Sequence, residues 1–272
     1  MEPLNAWNWA QIFKPEYRAL RDSLSTHNHH YFMPLVNISG GRWAPCDILR
    51  ANHIPYIHWY EDALRHYGSK TIVFFLYLLV DSVNAAKTCL RSAGWTSTTV
   101  PEYTPQNYDP AIDDQAVLGY GDDPEAVVIL MSAHPWPGVS PSESAEGCAP
   151  YPKLAQLYNA LAQRSLDTDC DPFRRYLNLQ LAYLYLDCAE LASPDFLLTL
   201  PQDIRQYHLD RSSDTLRMQA PQTVQHEREI RERARKGDWV LMYQGSAEVG
   251  GLKIDREYEA KLLAKISGAA AA

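Results

Sequence analysis
The sequence predicts an α/β (α+β) protein, with a mixed-sheet core over residues 1–150 and a mainly helical C-terminal portion over residues 151–272 packed on it. Three observations carry this expectation. Residues 54–95 are laid out as strand, helix, strand, helix. Thr71–Val80 and Ala126–Ala133 are continuous apolar runs of the kind found in strands covered on both faces. Beyond Lys153 the apolar spacing becomes helical, as in Tyr176, Leu177, Leu181, Leu184 and Tyr185.

Each element has its own signal. An amphipathic pattern predicts a short helix around Glu16–Leu24, followed by the polar segment His27–His30 and a turn at Asn37–Gly41. Asp47–Ala51 reads as a helix leading into a strand that begins at Ile54. Glu61-Asp62-Ala63-Leu64 opens the next helix, which closes at Tyr67-Gly68, and Thr71–Val80 is the second strand. Asp81 or Ser82 caps a helix running to Gly94. Pro101–Pro124, rich in Asp, Pro, Tyr and Gly, reads as a loop or hairpin, Ala126–Ala133 as a strand, and His134–Pro152 as a long loop. Lys153–Leu166 and Phe173–Leu191 read as helices, the second started by Asp171-Pro172. Asp195–Leu209 and Pro221–Lys236 are further helices, with Gly237 ending the last.

Composition narrows the function. A formal net charge of −8 argues against non-specific nucleic-acid binding, which rests on neutralising phosphates with Lys and Arg. The five cysteines are odd in number and lack CxxC spacing, which suits reduced thiols in the cytoplasm better than a disulfide framework. Met1–Phe13 has neither the basic start nor the apolar stretch of a secretory signal. Thr71–Val80, the longest apolar run, falls short of the roughly 20 residues that span a bilayer. A cytoplasmic protein that contacts neither membrane nor nucleic acid is therefore expected, its oligomeric state open. Seventeen Tyr and seven Trp against six Phe suit partly buried surfaces or a ligand pocket.

Several segments together resemble the nucleotidyltransferase superfamily, in particular a group of fungal proteins described as nucleotidyltransferase-like. They are Glu61-Asp62-Ala63-Leu64 with Tyr67-Gly68, Phe74 with Leu76–Val80, Ala93-Gly94-Trp95, Tyr207–Asp210, and His226-Glu227-Arg228 with Ile230-Arg231. The resemblance implies a mixed sheet and a corner where a glycine pair lets the backbone approach a triphosphate. It also implies two acids at alternate strand positions holding divalent metals. In this chain the glycine pair aligns with Tyr60-Glu61, the acids with Phe75 and Tyr77, and the third-acid strand, Val127–Ser132, has no Asp or Glu. Magnesium prefers hard oxygen ligands, so these replacements argue against metal-dependent nucleotidyl transfer.

What the resemblance leaves is a repurposed fold, free of metal and cofactor, that binds a small apolar metabolite. A cyclisation, of pericyclic (Diels–Alder) type, in fungal secondary metabolism is the reaction expected of it. The alternatives are a catalytically dead interaction protein and an active nucleotidyltransferase. Glu61 and His58 are the expected acid/base groups and Tyr77 a hydrogen-bond donor, while Trp59, Tyr60, Asp62, Phe75, His134, Trp136 and His208 are expected to line the ligand. Each also has a plain reading: Glu61 and Asp62 complement a helix N-terminus, Tyr77 is a buried strand aromatic, and His134–Pro137 is a rigid turn. Arg42-Trp43 and Cys46 lie on a candidate loop, but no His partner for Cys46 is identifiable. His27, His29 and His30 lack a second ligand cluster and read as a solvated loop. The charge run His226–Arg233 reads as a solvated helix face.

Overall fold
The computed structural model describes residues 42–71, 73–99, 114–121, 126–144, 150–212 and 221–246. The helix expected around Glu16–Leu24, the His27–His30 segment and the Asn37–Gly41 turn lie outside the described residues. The chain divides into two compact units, Val36–Leu191 in one and the described helices from Ala192 onward in the other.

The first unit is built on a mixed five-stranded sheet. Its elements run α1 (Ala44–Ala51), β1 (Tyr56–His58), α2 (Glu61–His66), β2 (Leu76–Val80), α3 (Val83–Ser92), β3 (Thr96–Ser97), β4 (Gln115–Gly119), β5 (Val127–Ser132), α4 (Pro141–Ser144), α5 (Leu154–Asp167) and α6 (Asp171–Asp187). The strand order is β1-β2-β5-β4-β3. Only β2 and β5 pair in parallel, Leu76 opposite Val128; β1–β2, β5–β4 and β4–β3 are antiparallel. Strand β4 falls inside the segment expected to be loop or hairpin, and forms an antiparallel pair with β5.

Both faces of the central strands are covered, which is why β2 and β5 read as unbroken apolar runs. On one face Tyr56, Leu76, Leu78, Val80, Leu118, Val128 and Leu130 pack with Cys46 and Leu49 of α1 and Val83, Ala86 and Leu90 of α3. On the other, Ile57, Trp59, Tyr77, Leu79, Ile129 and Met131 are buried. Strand β2 begins only at Leu76, five residues later than the apolar run suggests. The reason lies in side chains: the Phe74 and Phe75 N–H groups donate to the Glu61 carboxylate, and the Phe75 carbonyl accepts from Arg42. These three backbone groups are satisfied without a strand partner.

Helices α5 and α6, assigned from sequence to the C-terminal portion, belong to the same unit as the sheet. Pro172 in the first turn of α6 confirms its start signal. The second unit contains α7 (Pro194–Thr199), α8 (Gln202–Ser212) and α9 (Pro221–Arg235). The single helix expected over Asp195–Leu209 is two, broken at Leu200-Pro201, because proline cannot continue a hydrogen-bonded ladder and biases its predecessor to extended backbone.

Candidate functional site
The strand-to-helix corner follows directly from the β1–β2 pairing. The last ladder bond is Trp59 N–H to the Tyr77 carbonyl at 3.0 Å, and Tyr60 then turns the chain into α2 with φ 47° and ψ −116°. That conformation matches the first central position of a type II′ turn, where glycine dominates. A side chain there costs on the order of 1–3 kcal/mol. The Tyr60 ring is fully buried, edge-on to Tyr77 (5.3 Å), Trp136 (5.7 Å) and Tyr176 of α6 (5.1 Å), while Trp59 packs on Trp136 at 4.9 Å. Such aromatic pairs contribute about 0.5–1.5 kcal/mol each beyond area burial, enough to hold the strained turn.

Two carboxylates open α2. Glu61 Oε2 accepts from the Phe74 N–H at 3.1 Å and the Phe75 N–H at 3.4 Å. Burial pushes its carboxyl up to about 7, against the opposing pull of those two bonds. Asp62 Oδ2 pairs with Arg42 Nη2 at 2.6 Å, and the same nitrogen donates to the Phe75 carbonyl at 2.8 Å. Burial raises the Asp62 carboxyl as well, with Arg42 opposing. Arg42 therefore ties the start of α2 to the approach of β2.

His58 is on the other face of the sheet from Tyr77, because it pairs in register with Leu78. Its ring is stacked by Tyr151 (4.8 Å) and met edge-on by Trp43 (5.0 Å) and Tyr56 (5.5 Å). Tyr151 in turn stacks on His66 at 4.2 Å with the rings 3° from parallel. His58 Nε2 lies 3.9 Å from Cys46 Sγ, so the thiol does have a histidine partner, contrary to the sequence reading. The pair is uncharged: burial lowers His58 to about 4, helped by Arg42, Arg50 and His66, and burial pushes the Cys46 thiol up to about 12. A protonated thiol beside a neutral imidazole is not a primed nucleophile.

The expected site residues thus separate. Trp59, Tyr60, Tyr77 and Trp136 form one buried aromatic cluster with Phe75 at its edge, 6.3 Å from Tyr77. Glu61 and Asp62 anchor the corner, and His58 faces α1. His134 is exposed on the turn after β5, its N–H donating to Ser132 Oγ. His208 sits in the second unit on α8, against Phe196 at 5.3 Å. Tyr151 and His66 were missed by sequence reasoning. Neither carries a local motif, and only the folded chain brings them to His58.

No group of three or more His, Cys, Asp or Glu side chains that could hold a metal ion occurs among the described residues. Nor does any of their helices have the length and apolarity to cross a membrane. No protein-family model and no curated protein matches the chain.

Proposed function
We propose that this chain is a nucleotidyltransferase-like fold whose metal and phosphate corner has been rebuilt as a metal-free, aromatic-walled site. In this reading it binds a small, largely apolar molecule in the cytoplasm and promotes its cyclisation, a pericyclic step, without a cofactor. Fungal secondary metabolism is the setting that the family resemblance suggests.

The observation that carries the reading is Tyr60: it holds a glycine conformation where the resemblance aligns a glycine. A bulky ring thus occupies the turn at which a backbone would have to approach a triphosphate. The two corner carboxylates support the same reading, since Asp62 Oδ2 and Glu61 Oε2 are each engaged by protein donors. A cyclisation needs shape, exclusion of water and one or two hydrogen-bond donors. Glu61, whose carboxyl titrates near neutrality, supplies a proton-bearing group of that kind.

Calorimetry with magnesium and each of the four nucleoside triphosphates should give no binding heat. Native mass spectrometry after exposure to a low-polarity fungal extract should show a retained small molecule. Chromatography should then show its conversion to an isomer of equal mass, slowed at least tenfold by Glu61→Gln. Magnesium-dependent nucleotide binding would overturn the proposal, as would a folded protein that retains nothing.

A further inference from the structure
Among the described residues the Arg42 guanidinium bonds through one nitrogen. Nη2 bridges Asp62 and the Phe75 carbonyl, while Nε and Nη1 make no hydrogen bond to any described residue, and the side chain is 26% exposed. These donors stand next to an aromatic surface. The Arg42 guanidinium lies 5.4 Å from the ring of Trp43, which is 42% exposed, and Trp43 and Tyr151 flank the same His58 ring. His58 is 4% exposed, and its Nδ1 has no partner among the described residues. Trp43 is also the N-cap of α1 and contributes no side-chain cap, while Asp47 in the first turn compensates part of the positive end of that helix. All the charged neighbours that act on His58, namely Arg42, Arg50 and His66, are cationic or can become so. Asp62 compensates part of this charge, but it does so through Nη2 alone and leaves the Nε and Nη1 donors in place.

We propose that Arg42 and Trp43, beside Tyr151 and His58, bind the oxyanion of a planar conjugated small molecule, a carboxylate or enolate carried on an apolar ring. The oxyanion accepts from Arg42 Nη1 or Nε one donor at a time, because Nη2, the nitrogen needed to complete either two-point edge of the guanidinium, is taken by Asp62 and the Phe75 carbonyl. The ring lies against Trp43. This assignment rests on the small-molecule reading above and narrows it: the substrate is apolar in its body and anionic at one end.

The test uses two isosteric probes, 1-naphthoate and neutral 1-naphthamide, titrated calorimetrically into the full chain. Naphthoate should bind at least tenfold tighter than the amide, and Arg42→Gln should abolish that preference. Trp43→Ala, at an exposed ring, should weaken both probes together while circular dichroism stays unchanged. Should Arg42→Gln unfold, Arg42→Lys replaces it, and the preference should drop severalfold because a single ammonium cannot hold Asp62 and also present a planar donor to the ligand. Equal binding of acid and amide to the wild type, or an undiminished preference in the folded Arg42 variant, would overturn the oxyanion assignment while leaving the small-molecule reading intact. Absence of binding by both probes would overturn the two together.

Discussion

At the scale of single residues, Tyr60 and the Glu61/His58 pair make the firmest predictions. Tyr60 combines backbone strain with a large packing contribution, so truncation should reverse the usual order of Gly and Ala. Both variants lose the ring, a loss of about 3–5 kcal/mol. Tyr60→Gly, free of the φ 47° penalty, should nevertheless be about 1 kcal/mol or more stabler than Tyr60→Ala by urea denaturation. Equal stabilities would mean that the turn is relaxed. Glu61 and His58 are both buried, and their titrations oppose. The Glu61 carboxyl is raised from 4.5 to about 7, so its contribution is full below pH 4.5 and is lost as pH rises toward 7. His58 is lowered from 6.5 to about 4, so its contribution is full above pH 6.5 and is lost as pH falls toward 4. At 1.36 kcal/mol per pKa unit each amounts to about 3 kcal/mol. Urea midpoints of the wild type should therefore vary little between these limits. Stability of Glu61→Gln should climb with pH, and that of His58→Phe should fall. Parallel pH profiles for the two variants would contradict this picture.

At the scale of elements, local signals were readable where the chemistry was local. Ser82 caps α3 as its position suggested, its Oγ accepting from the Ala85 N–H at 3.3 Å. Ser82→Ala should lower stability by about 1 kcal/mol, and Ser82→Asp should retain it, as measured by thermal denaturation. The Ala126–Ala133 run, Asp171-Pro172 and the Pro221 helix appear within one or two residues of expectation. Errors arose where a distant partner intervened. The Thr71–Phe75 backbone looked like strand because its side chains are apolar or β-branched. Arg42 and Glu61, from elsewhere in the chain, engage the Phe75 carbonyl and the Phe74 and Phe75 N–H groups, which a neighbouring strand would have used. Strand β4 lies in the Pro101–Pro124 segment read as loop or hairpin, and its antiparallel pairing with the next strand, β5, fits the hairpin alternative.

At the scale of the whole molecule, each unit has its own polar fastening. In the second unit, Asp210 accepts from Gln206 Nε2 (2.9 Å), the Ser246 N–H (2.6 Å) and Ser246 Oγ (2.6 Å), and His226 Nε2 lies 3.1 Å from Ser246 Oγ. Gln206 Oε1 also accepts from the Met242 N–H and Trp239 Nε1. Asp210→Ala should leave buried donors unsatisfied and cost about 3 kcal/mol. Hydrogen exchange should show lost protection at the Met242 and Ser246 amides, with the Trp59 and Ala133 amides of the sheet unchanged. A uniform loss across both units would show that the network is not local. The sequence alone determined which segments are strands and helices over most of the described chain, because apolar periodicity, caps and prolines act over a few residues. Residue type also shows that Leu76–Val80 and Val127–Ser132 carry no Asp or Glu, so neither strand offers a carboxylate to a hard cation. The grouping of α5 and α6 with the sheet, the separation of His58 from Tyr77, and the convergence of Arg42, Trp43 and Tyr151 on His58 were set by tertiary structure. Strand register chooses the face on which each side chain lies, and long-range packing chooses its neighbours; neither is encoded in the residues next to it.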